Sequence, residues 1–378
     1  MSYHGRFEEQ KSPKPKKKAG KIVLVIVLTL VLLVGAAAAW GIRYYNETLG
    51  KMNIVTLDKD LYETYVEETE FTENTIQTTA PVEETEVTEP VETAPAEIKP
   101  GDIINILVVG QAYRAGEESH MADTTILVTL NTFDGTVTLS SVLRDAYVSL
   151  PPYKSHSEGQ NKFNVCYNLG YNWGGITGAM EYVNLTMLRN FGVQVDHNVE
   201  ISFDSFIRVI DFIGGVEIEL TEAEANYLNR DDLYVLYDVE PGLQHLDGMA
   251  ALSYARMRKA AGDGESDIKR TERQRKLIGA LVDKFRGASL KDIQGAADIL
   301  LPLITTTMTP ADVADIVIRM LPHVANLKIE GGTLPVETTY WGELADIYGD
   351  GGSYSILRFY IDQNKRLVSA FTEADNLS

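Results

Sequence analysis

Two stretches decide the fold: residues 103–109 read IINILVV, and residues 125–142 read TILVTLNTFDGTVTLSSV. The first is an apolar run, as expected of a central strand that is covered on both faces. In the second, two strand-like segments flank Asp134-Gly135, a dipeptide that favours the tight turn of a β-hairpin. The sequence therefore predicts a sheet in which an interior strand is followed by a hairpin.

Helical and strand patterns alternate after this hairpin. Residues 176–191 and 203–213 carry apolar side chains at helical spacing, and residues 247–254 and 267–286 also predict helices. Between them, Gly214-Gly215 ends a helix and residues 216–220 alternate like a strand. This order predicts a layered α/β domain that begins near Asp102, with helices packed against a sheet.

Composition excludes several classes of protein. The 378 residues contain 34 Lys and Arg against 54 Asp and Glu, a formal net charge of −20. We expect no nucleic-acid partner, because duplex binding needs a basic face that neutralises phosphates. The single cysteine, Cys166, excludes an internal disulfide and a multi-cysteine zinc site, and it is expected to be a buried small apolar residue.

The N-terminus predicts a membrane anchor. Residues 22–42 carry no charge, and a helix of 21 residues spans about 31 Å, close to the hydrocarbon thickness of a bilayer. Residues 1–21 hold seven basic and two acidic residues, which predicts a cytoplasmic tail. We therefore expect one uncleaved signal-anchor helix in the plasma membrane with the C-terminal domain outside the cell. The alternative is a cleaved signal peptide, because Ala36–Ala39 offers a cleavage site.

The segment 43–100 is predicted to be an acidic stalk. It is rich in Thr, Glu and Pro, and its low hydrophobicity cannot offset the entropy lost on ordering. Its carboxylates repel one another and its prolines stiffen the backbone, and both effects favour an extended chain.

A basic island interrupts the acidic chain between residues 256 and 276. Arg256 and Arg258 are two residues apart, and Arg270 and Arg273 are spaced to share one helical face. Paired guanidinium groups match the oxygens of a pyrophosphate or phosphodiester. Arg144, after a predicted strand, is a fifth candidate. The alternative is that these arginines are surface residues paired with nearby carboxylates.

The order of motifs resembles the LytR-CpsA-Psr family of membrane-anchored enzymes, which attach glycopolymers to bacterial cell walls. The matching segments are NILVVGQ (105–111), ADTTILVTLN (122–131), LRD (143–145), KFN (162–164), VDHNVEISFDSFIRVIDFIGGVEIEL (195–220), GLQHLDGMAALSYARMR (242–258) and SDIKRTERQR (266–275). The resemblance covers the catalytic-type domain at 101–290 well. It covers 291–378 loosely, and this part is expected to be a C-terminal extension packed on the same domain.

The resemblance implies a fold and a reaction. The fold is a three-layer α/β/α sandwich with a central mixed sheet, preceded by one transmembrane helix. The reaction transfers a glycopolymer such as a teichoic acid, capsule or wall polysaccharide from a polyprenyl-pyrophosphate carrier to peptidoglycan, with Mg²⁺ at the pyrophosphate. The implied location is the plasma membrane of a Gram-positive-type bacterium.

The resemblance also implies roles for ten residues. Asp123 would be a magnesium ligand, and Asp267 would neutralise or orient an arginine. The pyrophosphate would be held by Arg144, Arg256, Arg258, Arg270 and Arg273, and substrate would be bound at the mouth of the site by Arg114, Lys162 and Asn164.

The chain departs from the family pattern at the metal site. The family usually has an aspartate after the GQ of the first motif, where this chain has Ala112. One carboxylate, Asp123, then remains for a magnesium ion that usually binds one or two carboxylates together with waters and phosphates. Two interpretations stay open: an active magnesium-dependent transferase, or a catalytically weakened or inactive member that binds polyprenyl-linked saccharide and regulates envelope assembly.

Two tryptophans have a structural and a functional interpretation. Trp173 and Trp341 are expected to pack in the core or in loops rather than to stack on sugars. Trp173 is the better candidate for a sugar platform, because it lies in a glycine-rich turn.

Overall fold

A computed structural model describes residues 49–58, 60, 65, 101–111, 120–230, 237–257, 267–286 and 290–373. The strands are β1 (Asn53–Ile54), β2 (Ile103–Gln111), β3 (Ala122–Asn131), β4 (Thr136–Val142), β5 (Tyr147–Leu150), β6 (Gly159–Lys162), β7 (His197–Ser202), β8 (Val216–Leu220), β9 (Gly242–Leu246), β10 (Ile304–Thr306), β11 (Lys328–Leu334), β12 (Tyr340–Ala345) and β13 (Tyr354–Phe359). The helices are α1 (Phe163–Phe191), α2 (Phe203–Phe212), α3 (Glu222–Leu228), α4 (Gly248–Arg256), α5 (Asp267–Arg286), α6 (Leu290–Leu300), α7 (Pro310–Met320) and α8 (Ile361–Thr372).

Seven strands form a central mixed sheet in the order β1-β10-β7-β2-β3-β4-β11. The predicted interior strand is β2, which lies between β7 and β3. The predicted hairpin is confirmed, because β3 and β4 are antiparallel and Asn131 pairs with Thr136 around the Asp134-Gly135 turn. The sheet is mixed because β2 runs parallel to β7 and antiparallel to β3.

Helices cover both faces of this sheet. On one face, Ile106 and Val128 pack with Val313 and Val317 of α7. On the other face, Leu107 and Leu127 of the sheet pack in a second core with residues of α1 and α8. The predicted α/β layering is therefore confirmed, with β2 and β3 contributing alternate side chains to two cores.

Helix α1 begins earlier than its periodicity predicts. It starts at Phe163 and includes a break at Gly174 and Gly175. Gly175 has φ +64°, a left-handed conformation that glycine adopts without a steric penalty. The helix thus joins two segments, of which only the second, after the break, has the spacing that the sequence displays.

A third core lies beside the sheet and contains the hairpin β8–β9. Ile218, Leu246, Tyr254 and Leu277 are buried together there. The predicted helices at 203–213, 247–254 and 267–286 are confirmed as α2, α4 and α5, and each contributes to this core. The core includes Ala255 at the end of α4 and Leu277 of α5, which border the two parts of the basic island.

The predicted boundaries of the domain change at both ends. Leu49 and Met52 are 1% and 6% exposed, and β1 pairs with β10, so residues 49–58 belong to the folded unit and not to a stalk. The sequence did not predict this, because two buried apolar residues, Leu49 and Met52, are too few to produce a periodic pattern. The segment 291–378 is not merely packed on the domain, because it supplies β10 and β11 to the central sheet.

The predicted cytoplasmic tail, signal-anchor helix and most of the predicted stalk lie outside the described residues. Among the helices that the structure describes, none is both apolar and long enough to cross a bilayer.

Candidate functional site

The candidate site lies at one end of the central sheet, where β2, β4 and β7 end and β3 begins. Arg144 follows β4 by two residues, and its carbonyl accepts a hydrogen bond from Asn164 N at 3.1 Å, in the first turn of α1. Strand β7 leads at the same end directly into α2. Loops and helix starts therefore gather at this edge, as is common for ligand sites in α/β proteins.

An ion-pair network links Arg144 to Lys162. Asp145 Oδ1 lies 3.2 Å from Lys162 Nζ and 3.8 Å from Arg144 Nε, and the three side chains are 16% to 26% exposed. Arg144 and Lys162 thus contact the same carboxylate. Lys162, predicted to bind substrate, therefore lies close to Arg144, which is predicted to hold the pyrophosphate.

Asn164 is almost fully buried, whereas the sequence predicted that it lines the mouth of the site. It is 2% exposed, and within the described part of the chain its Oδ1 has no hydrogen-bond partner. Its backbone contact with Arg144 places it in the wall beneath that arginine.

Arg256 ends α4 with its guanidinium carbon 4.7 Å from the centre of the Phe203 ring, at the start of α2. This cation–π contact orients the charged group at the edge where β7 ends. Two distant parts of the chain, α2 and α4, thereby set the position of one predicted phosphate-binding residue.

Helix α5 carries two buried arginines, Arg270 and Arg273, which are 4% and 5% exposed. Arg273 donates from Nε to Glu224 Oε1 at 2.8 Å and from Nη1 to the Met257 carbonyl at 3.0 Å. These contacts tie α5 to α3 and to the end of α4, and the role of Arg273 in holding the pyrophosphate stays a prediction. The sequence shows that the two arginines share a face, but Glu224, 49 residues away, is not visible as a partner.

Gln274 is a site residue that the sequence analysis missed. Its Nε2 donates to Thr124 Oγ1 at 2.9 Å and lies 3.4 Å from the carbonyl of Ala255, the residue before Arg256. Gln274 thus joins α5, the start of β3 and the end of α4. A glutamine beside four basic residues has no distinctive pattern, although its position directly after Arg273 could have drawn attention.

Other predicted residues are only partly described. Arg114 and Arg258, together with Ala112, lie outside the described residues, and so do the side chains of Asp123 and Asp267. The backbone places Asp123 next to the first residue of β3 and Asp267 at the first residue of α5. Both positions lie on elements that Gln274 connects. Because the two side chains are not described, the roles of these residues stay predictions.

The wall formed by α1 is polar and aromatic. His120 stacks on Tyr171 with ring centroids 3.5 Å apart, and its Nδ1 lies 2.5 Å from Gln111 Nε2. Burial lowers the pKa of His120, so its imidazole is neutral at neutral pH. One turn earlier on α1, Tyr167 donates to Glu200 Oε2 at 2.5 Å.

Glu200 is expected to destabilise the protein at neutral pH. Burial raises the pKa of its carboxyl, although the Tyr167 hydrogen bond acts in the opposite direction. A raised pKa in the folded state means that stability is complete at pH values below the unfolded pKa and is lost as pH rises through the folded pKa. Glu200→Gln, which keeps an acceptor for Tyr167, should raise the thermal midpoint by a few degrees at pH 8 and leave it unchanged at pH 4. Calorimetry at both values checks this; equal shifts would show that ionisation is not the cause.

The arrangement defines a class of protein. It is an α/β domain in which one arginine follows a strand and another ends a helix at the same end of a mixed sheet, as suits a ligand with phosphate groups. The sequence profile described as the LytR_cpsA_psr family matches residues 62–358. The chain belongs to this family.

Two curated relatives carry the name polyisoprenyl-teichoic acid–peptidoglycan teichoic acid transferase. TagU of Oceanobacillus iheyensis is 28% identical over 239 residues, which cover 63% of this chain and 68% of TagU. TagT of Bacillus subtilis is 29% identical over 237 residues, covering 61% of this chain and 67% of TagT. The crystal structure of B. subtilis TagT superposes with a TM-score of 0.52 at 22% identity, over 74% of this chain and 94% of that one, and shows that the fold is shared.

Proposed function

We propose that the protein transfers a glycopolymer from a polyprenyl-pyrophosphate carrier to peptidoglycan. The observation that supports this proposal is that Arg144 and Arg256 lie at the same end of the central sheet, Arg144 after β4 and Arg256 against Phe203 directly after β7, in a member of a family that includes named teichoic acid transferases. A pyrophosphate bears charge that arginines stabilise through paired hydrogen bonds.

The proposed step is phosphoryl transfer. An acceptor hydroxyl oxygen attacks the phosphorus that bears the glycan, and the bond from that phosphorus to the bridging oxygen breaks. Polyprenyl phosphate leaves, the glycan becomes linked to peptidoglycan through a phosphodiester, and the hydroxyl proton is released. Such a step needs positioning and charge stabilisation more than covalent chemistry by the protein, which is what a cluster of arginines supplies.

Magnesium belongs to the proposal. Asp123 would supply one carboxylate, and waters and substrate phosphates would supply the remaining ligands that Mg²⁺ prefers. Asp145, which follows Arg144 in the chain, is engaged by Lys162 at 3.2 Å. When bound, the ion would neutralise charge on the pyrophosphate beside Arg144.

The proposed location is the outer face of the plasma membrane. The apolar segment ends at residue 42, and Leu49 is already packed in the core, so the connection spans at most about 25 Å. A domain held this close to the bilayer is suited to a donor whose polyprenyl chain lies in that bilayer.

Restoring aspartate at position 112 tests the proposal. Ala112→Asp in the full chain should lower the Mg²⁺ concentration needed for half-maximal transfer by about 10–100-fold, the size of effect seen when residues supporting a metal are lost. Transfer is measured with a synthetic polyprenyl-pyrophosphate saccharide and peptidoglycan fragments. The unchanged chain and Ala112→Asn, which adds a neutral side chain of the same shape, are the controls.

A second candidate function, binding without transfer, rests on Ala112, which stands where the family usually has an aspartate. If the unchanged chain binds the lipid-linked saccharide but transfers nothing at any Mg²⁺ concentration, it is a binding or regulatory member of the family. Binding without transfer in both the unchanged chain and Ala112→Asp would reject the enzyme.

A further inference from the structure

The hairpin β12–β13 exposes aromatic side chains to solvent. Residues 336–360 include six aromatic residues, among them Trp341 and Tyr360. These two side chains are 42% and 59% exposed, and their ring centroids lie 5.2 Å apart. An exposed tryptophan–tyrosine pair is unusual on a surface unless it binds something, because single exposed apolar residues are the ordinary case.

The packing of Trp173 agrees with the expectation that both tryptophans are structural, and the exposure of Trp341 departs from it. Trp173 packs within a cluster in which His156 stacks on it at 3.9 Å and Tyr182 meets it edge-on at 4.9 Å. Its faces are therefore engaged by the protein, so Trp173 is not a sugar platform. Trp341 has the exposure that such a platform needs.

Charged hydrogen-bonding groups flank the exposed rings. Arg358 lies directly across the hairpin from Trp341, and its Nε donates to Glu343 Oε2 at 2.6 Å. Both side chains are more than a third exposed, so their remaining donors and acceptors are accessible. Aromatic faces that attract polarised C–H groups, next to a guanidinium and a carboxylate, suit a sugar ring with its alternating apolar and hydroxyl surfaces.

A continuous path of contacts connects this surface to the candidate site. Leu357 N donates to the Asp145 carbonyl at 2.8 Å, beside Arg144. The Arg358 guanidinium lies 5.1 Å above the Tyr147 ring, and Tyr147 pairs with Lys162 between β5 and β6. The hairpin thus contacts the backbone segment that carries Arg144, through Asp145 and Tyr147.

Charge decides which substrate fits this surface. Residues 336–360 contain four carboxylates, Glu337, Glu343, Asp346 and Asp350, against the single Arg358. A polyanion such as a teichoic acid would be repelled. The peptidoglycan backbone is neutral, because the lactyl carboxyl groups of its muramic acids form amides with the peptides.

We propose that Trp341, Tyr360, Arg358 and Glu343 form an acceptor platform that binds the glycan strand of peptidoglycan next to the phosphate site. This inference rests on the proposed transfer reaction for its biological meaning, but the binding itself does not require transfer. The platform directs a sugar hydroxyl towards the edge of the sheet that carries Arg144.

The test measures binding and transfer separately with the full chain in detergent micelles. The binding probe is a neutral oligomer of N-acetylglucosamine, and the opposing probe is poly(glycerol phosphate). Trp341→Ala and Tyr360→Ala should each weaken binding of the neutral oligomer by about tenfold, while Trp341→Phe retains most of it. Phe133→Ala is the matched control, because Phe133 is a 40% exposed aromatic residue in the turn at the opposite end of the sheet.

Transfer assays add a second readout. Trp341→Ala should raise the KM for peptidoglycan fragments and leave kcat and the affinity for the lipid-linked donor unchanged, and the far-UV circular dichroism should match the unchanged chain. If Trp341→Ala weakens binding of the neutral oligomer but no variant shows transfer, the platform is supported and the proposed reaction is rejected. Unchanged binding in both alanine variants, an equal loss in Phe133→Ala, or tighter binding of poly(glycerol phosphate) at Trp341 would overturn the platform.

Discussion

Replacing Arg256 with alanine is expected to reduce the rate of glycopolymer transfer by about 10²–10³-fold, the usual loss when one preorganised charge-stabilising donor is removed. The guanidinium is held over the Phe203 ring at 4.7 Å, so its position is set before a ligand arrives. The loss should fall mainly on kcat, because the interaction strengthens as charge develops on the transferred phosphate. Steady-state transfer measured with the lipid-linked donor and peptidoglycan checks the effect.

Arg230→Ala is the matched control for this experiment. Arg230 also places its guanidinium over an aromatic ring, at 4.9 Å from the centre of Tyr227, but it follows α3 and not α4. The control should keep at least half of the activity and the same thermal midpoint. If Arg256→Ala transfers as fast as Arg230→Ala, the basic island does not hold the pyrophosphate and the proposed site is misplaced.

Removing Glu224 is expected to cause the largest loss of stability. The Glu224–Arg273 pair is buried, with side-chain exposures of 9% and 6%, and Glu224→Ala leaves the arginine charge without this partner. Breaking a buried pair in this way costs about 3–5 kcal/mol of unfolding free energy, which lowers the thermal midpoint by roughly 10 °C in a domain of this size. Glu224 also completes the capping box of α3 with Thr221, so part of the loss comes from that helix end.

The loss should depend on pH. Burial opposes ionisation of Glu224, but hydrogen bonds from Thr221 and Arg273 outweigh it and hold the pKa of the carboxyl below its usual value. A lowered folded pKa gives stability that is present above the unfolded pKa and disappears as pH falls through the folded pKa. The difference in unfolding free energy between the unchanged chain and Glu224→Ala should therefore become smaller as the pH falls.

An exposed ion pair supplies the control. Glu158 pairs with Arg189 at 2.6 Å but is 67% exposed, so Glu158→Ala should change the unfolding free energy by less than about 1 kcal/mol. Urea unfolding monitored by circular dichroism compares the two variants. Equal changes would mean that Arg273 finds other partners when Glu224 is absent, and a role for Arg273 in ligand binding would regain support.

The amino-acid sequence alone determined the elements whose pattern is local. The hairpin at Asp134-Gly135, the interior strand at 103–109 and the helix at 267–286 follow from turn chemistry, apolar content and helical spacing, which involve neighbours within a few residues. The family also follows from the sequence, because the order of short motifs survives over nearly the whole domain.

Only the tertiary structure decided what depends on partners distant in the chain. Arg270 and Arg273 look equivalent in sequence, yet Glu224 engages one of them. Gln274 gained a role from Thr124, 150 residues away, and residues 49–58 joined the sheet through a strand 250 residues later. Trp173 packs against His156 and Tyr182 as expected, whereas Trp341 is exposed, because exposure is a property of the packed chain. The physical reason is common to all four: burial and ion pairing depend on which surfaces meet in the folded protein, and local spacing carries no record of that.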